Sequence, residues 1–178
     1  MVNGELINDK VVIYDEPEAQ SIYNNGWYGV IGEGRLELAL IEAALLYERK
    51  RIEVVKDNKP IGVLKFLKHC HKVDPRFSER YAVFKDLRDR GLPVRTGLKF
   101  GCDFRVYERG VKPLKKGPKE ESEHTKWIVF AVSEDYTCSF HELARAVRLA
   151  HNIRANMLWA VVDTDKNVTY YSVTYMRI

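Results

Sequence analysis

Tyr107 and His124 frame the part of this chain best equipped for chemistry. Tyr107 lies in the segment RTGLKFGCDFRVYERG, from Arg95 to Gly110, and His124 in EHTKWIVF. The first segment is glycine-rich, basic and strand-like. A tyrosine and a histidine are both side chains that can move protons in metal-free general acid–base catalysis. Taken singly, neither residue says much, since a strand tyrosine is usually a packing residue and an isolated histidine a surface or core group. Two further histidines, His69 and His71, suggest metal at first sight. Residues two apart do not share a helix face, however, and no carboxylate cluster joins them, so a metal site is not expected.

The elements that must position this pair can be read from pattern. KVVIY (Lys10 to Tyr14) and GWYGVIG around Trp27 read as strands of a small N-terminal unit. Arg35 to Arg51 reads as one helix, with Leu36, Leu40, Ala43, Ala44 and Tyr47 at three- and four-residue steps and a basic triplet suited to its C-terminal end. Ile52 to Ile61 reads as a strand entering an Asp57-Asn58 turn, and Val63 to Val73 as a helix. Asp74-Pro75 is an N-cap followed by a first-turn proline, which predicts a helix from there to Gly91. Strand-like segments follow at Pro93 to Thr96, Gly101 to Tyr107 and Thr125 to Val132. A capping box, Ser139-Phe140-His141-Glu142, opens another helix. Strands Met157 to Val162 and Val168 to Tyr175 complete the chain. The expected fold class is α/β (α+β): a small mixed N-terminal domain, 1–78, and a C-terminal β-rich α/β domain with a central mixed sheet, 79–178.

Composition bounds the partners. The chain has 178 residues, 46% hydrophobic and 30% charged, which is that of a globular protein. No apolar run approaches the roughly 20 residues that span a bilayer, and MVNGELINDK has no signal pattern, so a cytoplasmic protein without membrane contact is expected. Cys70, Cys102 and Cys138 are widely spaced and odd in number, which predicts free, mostly buried thiols. Residues 1–80 carry a net charge of −1 and residues 81–178 one of +5. The second half is therefore the better candidate for an anionic partner such as nucleic acid.

YAVFKDLRDRGLPVRTGLKFGCDFRVYERG, then His124, then VRLAHNIRANMLWAVVDTDKNVTYY resembles the archaeal tRNA-splicing endonuclease family across the second domain. WYG…LELALIEAALLYE resembles its first domain more loosely. The resemblance implies cleavage of precursor tRNA at bulged exon–intron junctions (bulge–helix–bulge), leaving a 2′,3′-cyclic phosphate and a 5′-hydroxyl, with no metal and no cofactor. It implies Tyr107 as general base, His124 as general acid and a lysine as electrostatic stabiliser. Histidine suits its role because it titrates near neutrality. Tyrosine, with a reference pKa of about 10, needs nearby cations such as Lys99, Arg105 or Arg109.

The family lysine aligns with Ala155. Three readings stand: a deliberate replacement, a natural subunit that has lost activity, or substitution by Arg154 or Asn156. The first is favoured, because a subunit released from catalysis has no chemical reason to keep both Tyr107 and His124. The resemblance further implies that Arg148 stacks on a bulged base, and seven-residue spacing predicts that Arg148 and Ala155 share a helix face beside Asn152. It implies that Glu134 and Asp135, in an acidic turn, insert into a neighbouring subunit. Sixteen residues separate Tyr107 from His124 and include Lys112, Lys115, Lys116 and Lys119. Lys115 and Lys116 are candidates for RNA phosphate contact. An insertion of this kind implies a heterotetramer with a second, structural subunit, a homotetramer being the other arrangement. The final strand is a buried strand, the dimerising edge that the resemblance implies, or both. The reading from another class is a non-catalytic structural or RNA-binding subunit of the same assembly.

Overall fold

The computed structural model describes residues 1–97, 101–113, 123–176 and 178. They form two compact units, Met1–Ser78 and Glu79–Ile178. In the first, a sheet of six strands is ordered β3-β4-β2-β1-β5-β6. These are β1 (Val2–Ile7), β2 (Lys10–Ile13), β3 (Val30–Gly32), β4 (Arg35–Ala39), β5 (Ile52–Lys56) and β6 (Lys59–Pro60). The pair β1 and β5 is parallel and the other pairings are antiparallel. The helices are α1 (Glu16–Gly26), α2 (Leu40–Glu48) and α3 (Val63–Val73).

The single helix expected from Arg35 to Arg51 is corrected to a strand followed by a helix. Leu36 and Leu38 alternate into the core along β4, a two-residue period that the Leu36–Leu40 spacing disguises. The switch is set by Glu42, whose buried carboxylate accepts from Ala39 N at 2.9 Å and Gly29 N at 3.0 Å. Leu40 through Leu46 are all buried, so α2 carries no polar stripe to announce where it begins. The GWYGVIG segment is also corrected: Trp27 is the left-handed cap of α1, and only Val30–Gly32 is strand. Helix α3 and the turn at Asp57 and Asn58, both at positive φ, are as expected. His69 Nε2 lies 2.7 Å from the Asn8 carbonyl and His71 packs its ring on Phe77, so the two histidines serve different contacts.

The second unit carries the sheet β11-β10-β9-β8-β7. Its strands are β7 (Val94–Thr96), β8 (Phe104–Val106), β9 (Trp127–Ser133), β10 (Asn156–Val162) and β11 (Val168–Val173). Helix α4 (Phe77–Asp89) starts later than Asp74-Pro75, because Asp74 caps the end of α3 and bonds Arg76 N locally. Gly91 at φ +77 supplies the expected left-handed stop. Strands β9 and β10 are parallel and joined by the crossover helix α5 (Phe140–Asn152), whose capping box is formed as expected.

Two faces of this sheet are covered. Helix α4 stacks Phe84 on Phe104, ring centroids 5.6 Å apart, and its Asp86 accepts from the Tyr170 hydroxyl of β11 at 2.7 Å. On the other face Ala146 and Ala150 of α5 pack with Cys102, Ile128 and Met157. The expected mixed α/β architecture is thus borne out in both units. Strand β11 is a sheet edge with Tyr171 exposed, which removes the buried-strand alternative within this chain. Among the described residues no helix is long and apolar enough to cross a membrane.

Cys70 and Cys102 are buried and Cys138 is exposed. Burial pushes the Cys70 thiol up to about 12 and Cys102 to about 11. At pH 8 in the native protein a disulfide-exchange reagent is expected to titrate Cys138 rapidly. The other two thiols should react only on unfolding, which absorbance titration with and without denaturant measures.

Candidate active site

Strand direction decides which loop ends meet. β8 runs antiparallel to β9, and β10 runs parallel to it, so the end of β8 and the starts of β9 and β10 fall at one end of the sheet. The register pairs Val106 with Trp127 and Trp127 with Asn156. Two strand spacings of about 4.8 Å place Val106 and Asn156 about 10 Å apart. Tyr107 follows Val106, Ala155 precedes Asn156, and His124 comes three residues before Trp127. Lys126 fastens all three segments. Its N–H donates to the Val106 carbonyl at 2.9 Å, and its carbonyl accepts from Asn156 N at 2.9 Å and Asn156 Nδ2 at 3.3 Å.

Tyr107 extends the β7–β8 ladder by one residue, donating its N–H to the Pro93 carbonyl at 3.0 Å. Its side chain is 2% exposed in this chain, whereas His124 is exposed. Of the cations considered for Tyr107, Arg105 alternates to the same side of the strand. Arg109 donates its Nε to the Arg90 carbonyl at 2.9 Å, and Lys99 lies outside the described residues. Lys126 Nζ pairs with Glu108, the residue after Tyr107, at 3.0 Å. Both partners are about half exposed, so the pair is worth at most about 1 kcal/mol.

Ala155 stands just past a helix terminus, not on the helix. Arg154 N donates to His151 O at 3.0 Å and Ala155 N to Ala150 O at 2.9 Å, the paired bonds of a Schellman motif. Arg154 takes the left-handed position at φ 55, where glycine is usual. Ala155 then packs against the cluster that contains Ala150, the apolar contact such a motif favours. The expected common helix face of Arg148 and Ala155 is therefore corrected: α5 ends at Asn152 and the chain reverses its twist at Arg154. Arg148 is exposed on α5, in one stripe with Arg145 and Asn152. Glu134 and Asp135 are exposed at the end of β9. The Glu134 carboxylate is engaged within the chain, accepting from Thr164 N, beyond the end of β10, at 3.0 Å. Lys115, Lys116 and Lys119 lie outside the described residues.

Family models for the tRNA intron endonuclease match on both sides of the chain: the catalytic C-terminal domain over residues 77–170 and the N-terminal domain over residues 2–67. The chain belongs to the tRNA-splicing endonuclease family. It is 39% identical to the tRNA-splicing endonuclease of Thermococcus kodakarensis over 177 residues, 99% of each chain. It is 47% identical to that of Nanoarchaeum equitans over 141 residues, 79% of this chain and 90% of that one. With the enzyme of Methanothermobacter thermautotrophicus the identity is 34% over 99% of this chain and 98% of the other.

In this member of the tRNA-splicing endonuclease family the glycine-rich motif has a structural explanation that the sequence reading did not supply. A Cβ at Gly97 would sit 2.4 Å from Cys102 Sγ and 2.8 Å from Cys102 O, while Gly101 and Gly110 have φ of +71 and +83. The aspartate of the motif, Asp103, is buried. One of its carboxylate oxygens accepts from Ala131 N at 2.9 Å and the other faces Arg80 Nε at 3.2 Å. It couples the segment before β8 to the middle of β9 and to α4. Its only sequence signal was its place in the motif, since no local periodicity marks a buried carboxylate.

Asp103→Ala removes the carboxylate that pairs with Arg80 Nε and accepts from Ala131 N, so a loss of about 1–3 kcal/mol is expected in chemical denaturation. Arg154→Gly relieves the left-handed strain and is expected to raise stability by about 0.5–1 kcal/mol in the same assay.

Proposed function

We propose that this chain cleaves precursor tRNA at exon–intron junctions without metal, acting on bulge–helix–bulge RNA and leaving a 2′,3′-cyclic phosphate and a 5′-hydroxyl. Tyr107 takes the proton from the attacking 2′-hydroxyl and His124 returns one to the leaving 5′-oxygen. The observation that carries this reading is the convergence of the Tyr107, His124 and Ala155 segments on Lys126. Recognition of a bulge suits RNA, whose unstacked bases are the part a protein can read. Arg148, exposed on α5, is well shaped to stack on such a base. Lys115 and Lys116 would add phosphate contacts, and Glu134 and Asp135 would contact a neighbouring subunit. The assembly proposed is a heterotetramer with a structural subunit.

Alanine at position 155 removes a fixed positive charge from the site. On this reading the chain is impaired, as a deletion of this class costs roughly a hundred- to thousandfold in rate. A second reading, a non-catalytic structural or RNA-binding subunit, is favoured by the enclosure of Tyr107 at 2% exposure together with Ala155.

Ala155→Lys, assayed with bulged RNA in the presence of the partner subunit, is expected to raise single-turnover cleavage about 10²–10³-fold. Tyr107→Phe or His124→Ala in that chain should remove the gain. No gain on restoring the lysine, with no effect of Tyr107→Phe, would leave the non-catalytic reading standing. Light scattering of the purified chain tests the assembly, and a stable, active homotetramer overturns the heterotetramer.

A further inference from the structure

We infer that Lys126 is the residual cation of this site, supplying through its ammonium the phosphate contact that Ala155 lacks. The inference rests on the catalytic reading above and concerns a residue to which that reading gives no chemical role. Lys126 is two residues after His124, and its backbone joins Val106, next to Tyr107, to Asn156, next to Ala155. Its side chain is directed to the same end of the sheet, because its Nζ is 3.0 Å from the carboxylate of Glu108, one residue beyond Tyr107. Both members of that pair are open to solvent, at 47% and 48% side-chain exposure. A solvated pair of this kind is weakly held, so a dianionic transition-state phosphate can take the place of Glu108 as the partner of the ammonium.

The other nearby cations fit this task less well. Arg109 is engaged by the Arg90 carbonyl, and Arg154 is fixed at a left-handed helix end with its side chain exposed. The second Asn156 bond, from Nδ2 to the Lys126 carbonyl, further fixes the backbone from which the lysine stem extends. Since the Lys126 hydrogen bonds to its neighbours are made by backbone atoms, replacing its side chain preserves the strand junction. Nothing covalent passes through Lys126; it stabilises charge.

The experiment is single-turnover cleavage of a bulge–helix–bulge RNA, with the partner subunit present, by four chains: the parent, Lys126→Met, Ala155→Lys, and the double variant. Lys126→Met is expected to slow the parent at least tenfold and the Ala155→Lys chain less than threefold, because a lysine at 155 makes the second cation redundant. Lys126→Arg should retain the parental rate, and Glu108→Gln, which releases the ammonium, should raise it severalfold. Equal losses in both backgrounds, or a parent with no measurable cleavage beside an active Ala155→Lys chain, overturn the inference. An Ala155→Lys chain that is itself inert and indifferent to Tyr107→Phe overturns the catalytic reading instead.

Discussion

One residue's peptide group holds the candidate site together. The Lys126 N–H and C=O face opposite neighbours, Val106 on one side and Asn156 on the other, so a single extended residue sets the spacing of three segments that are far apart in the chain. This works only because β8 and β10 flank β9 with opposite directions relative to it. An antiparallel neighbour brings its exit to that end and a parallel neighbour brings its entry. The parallel pair in turn requires a crossover, which α5 supplies, and the crossover's own C-terminal end delivers Ala155 to the junction.

Behind the junction the two faces of the sheet are fixed by different physics. On the α5 side, Ile128 and Met157 pair in register and are fully buried against Ala146 and Ala150, so apolar area removed from water holds β9 to β10. On the α4 side a polar tie is added to the Phe84–Phe104 contact. Asp103 is taken out of water and satisfied by an arginine and a backbone amide, an arrangement that discriminates strongly between the correct pairing and any slip of β8 along β9. Tyr170 and Asp86 repeat the device at the edge strand, where burial and the carboxylate push the tyrosine hydroxyl up so that it stays a donor. A register error by one residue would send Tyr107 to the opposite face, so the polar ties matter to the site as well as to the fold.

What could be read in the sequence was what local chemistry dictates. The capping box at Ser139 and Glu142, the Asp57-Asn58 turn and the helix from Val63 to Val73 each depend on a few adjacent residues, and each is formed. The division of Arg35–Glu48 into strand and helix was hidden because its cause is remote: Glu42 bonds Gly29, and the sheet buries Leu36 and Leu38. The left-handed residue at Arg154 was likewise invisible, since an arginine there gives none of the warning that glycine would. Missing it produced the mistaken helix face shared by Arg148 and Ala155. Tyr107, His124 and position 155 could be singled out by type and order, but only strand direction brings their segments to one end of the sheet. The enclosure of Tyr107 and the role of Asp103 are tertiary facts with no local signal.

Position 155 is where folding and the proposed chemistry make separate demands. The Schellman ending of α5 asks for an apolar contact at this residue, and Ala155 meets it by packing on the Ala150 cluster. The proposed phosphate cleavage asks for a positive charge at the same place. A lysine answers both, because its methylene stem can lie along the apolar surface while the ammonium reaches out. Alanine answers only the first. Alanine therefore leaves the helix end, the β10 register and the Lys126 junction intact, and on the proposed reading the burden of charge stabilisation shifts to whichever cation the framework already holds nearby.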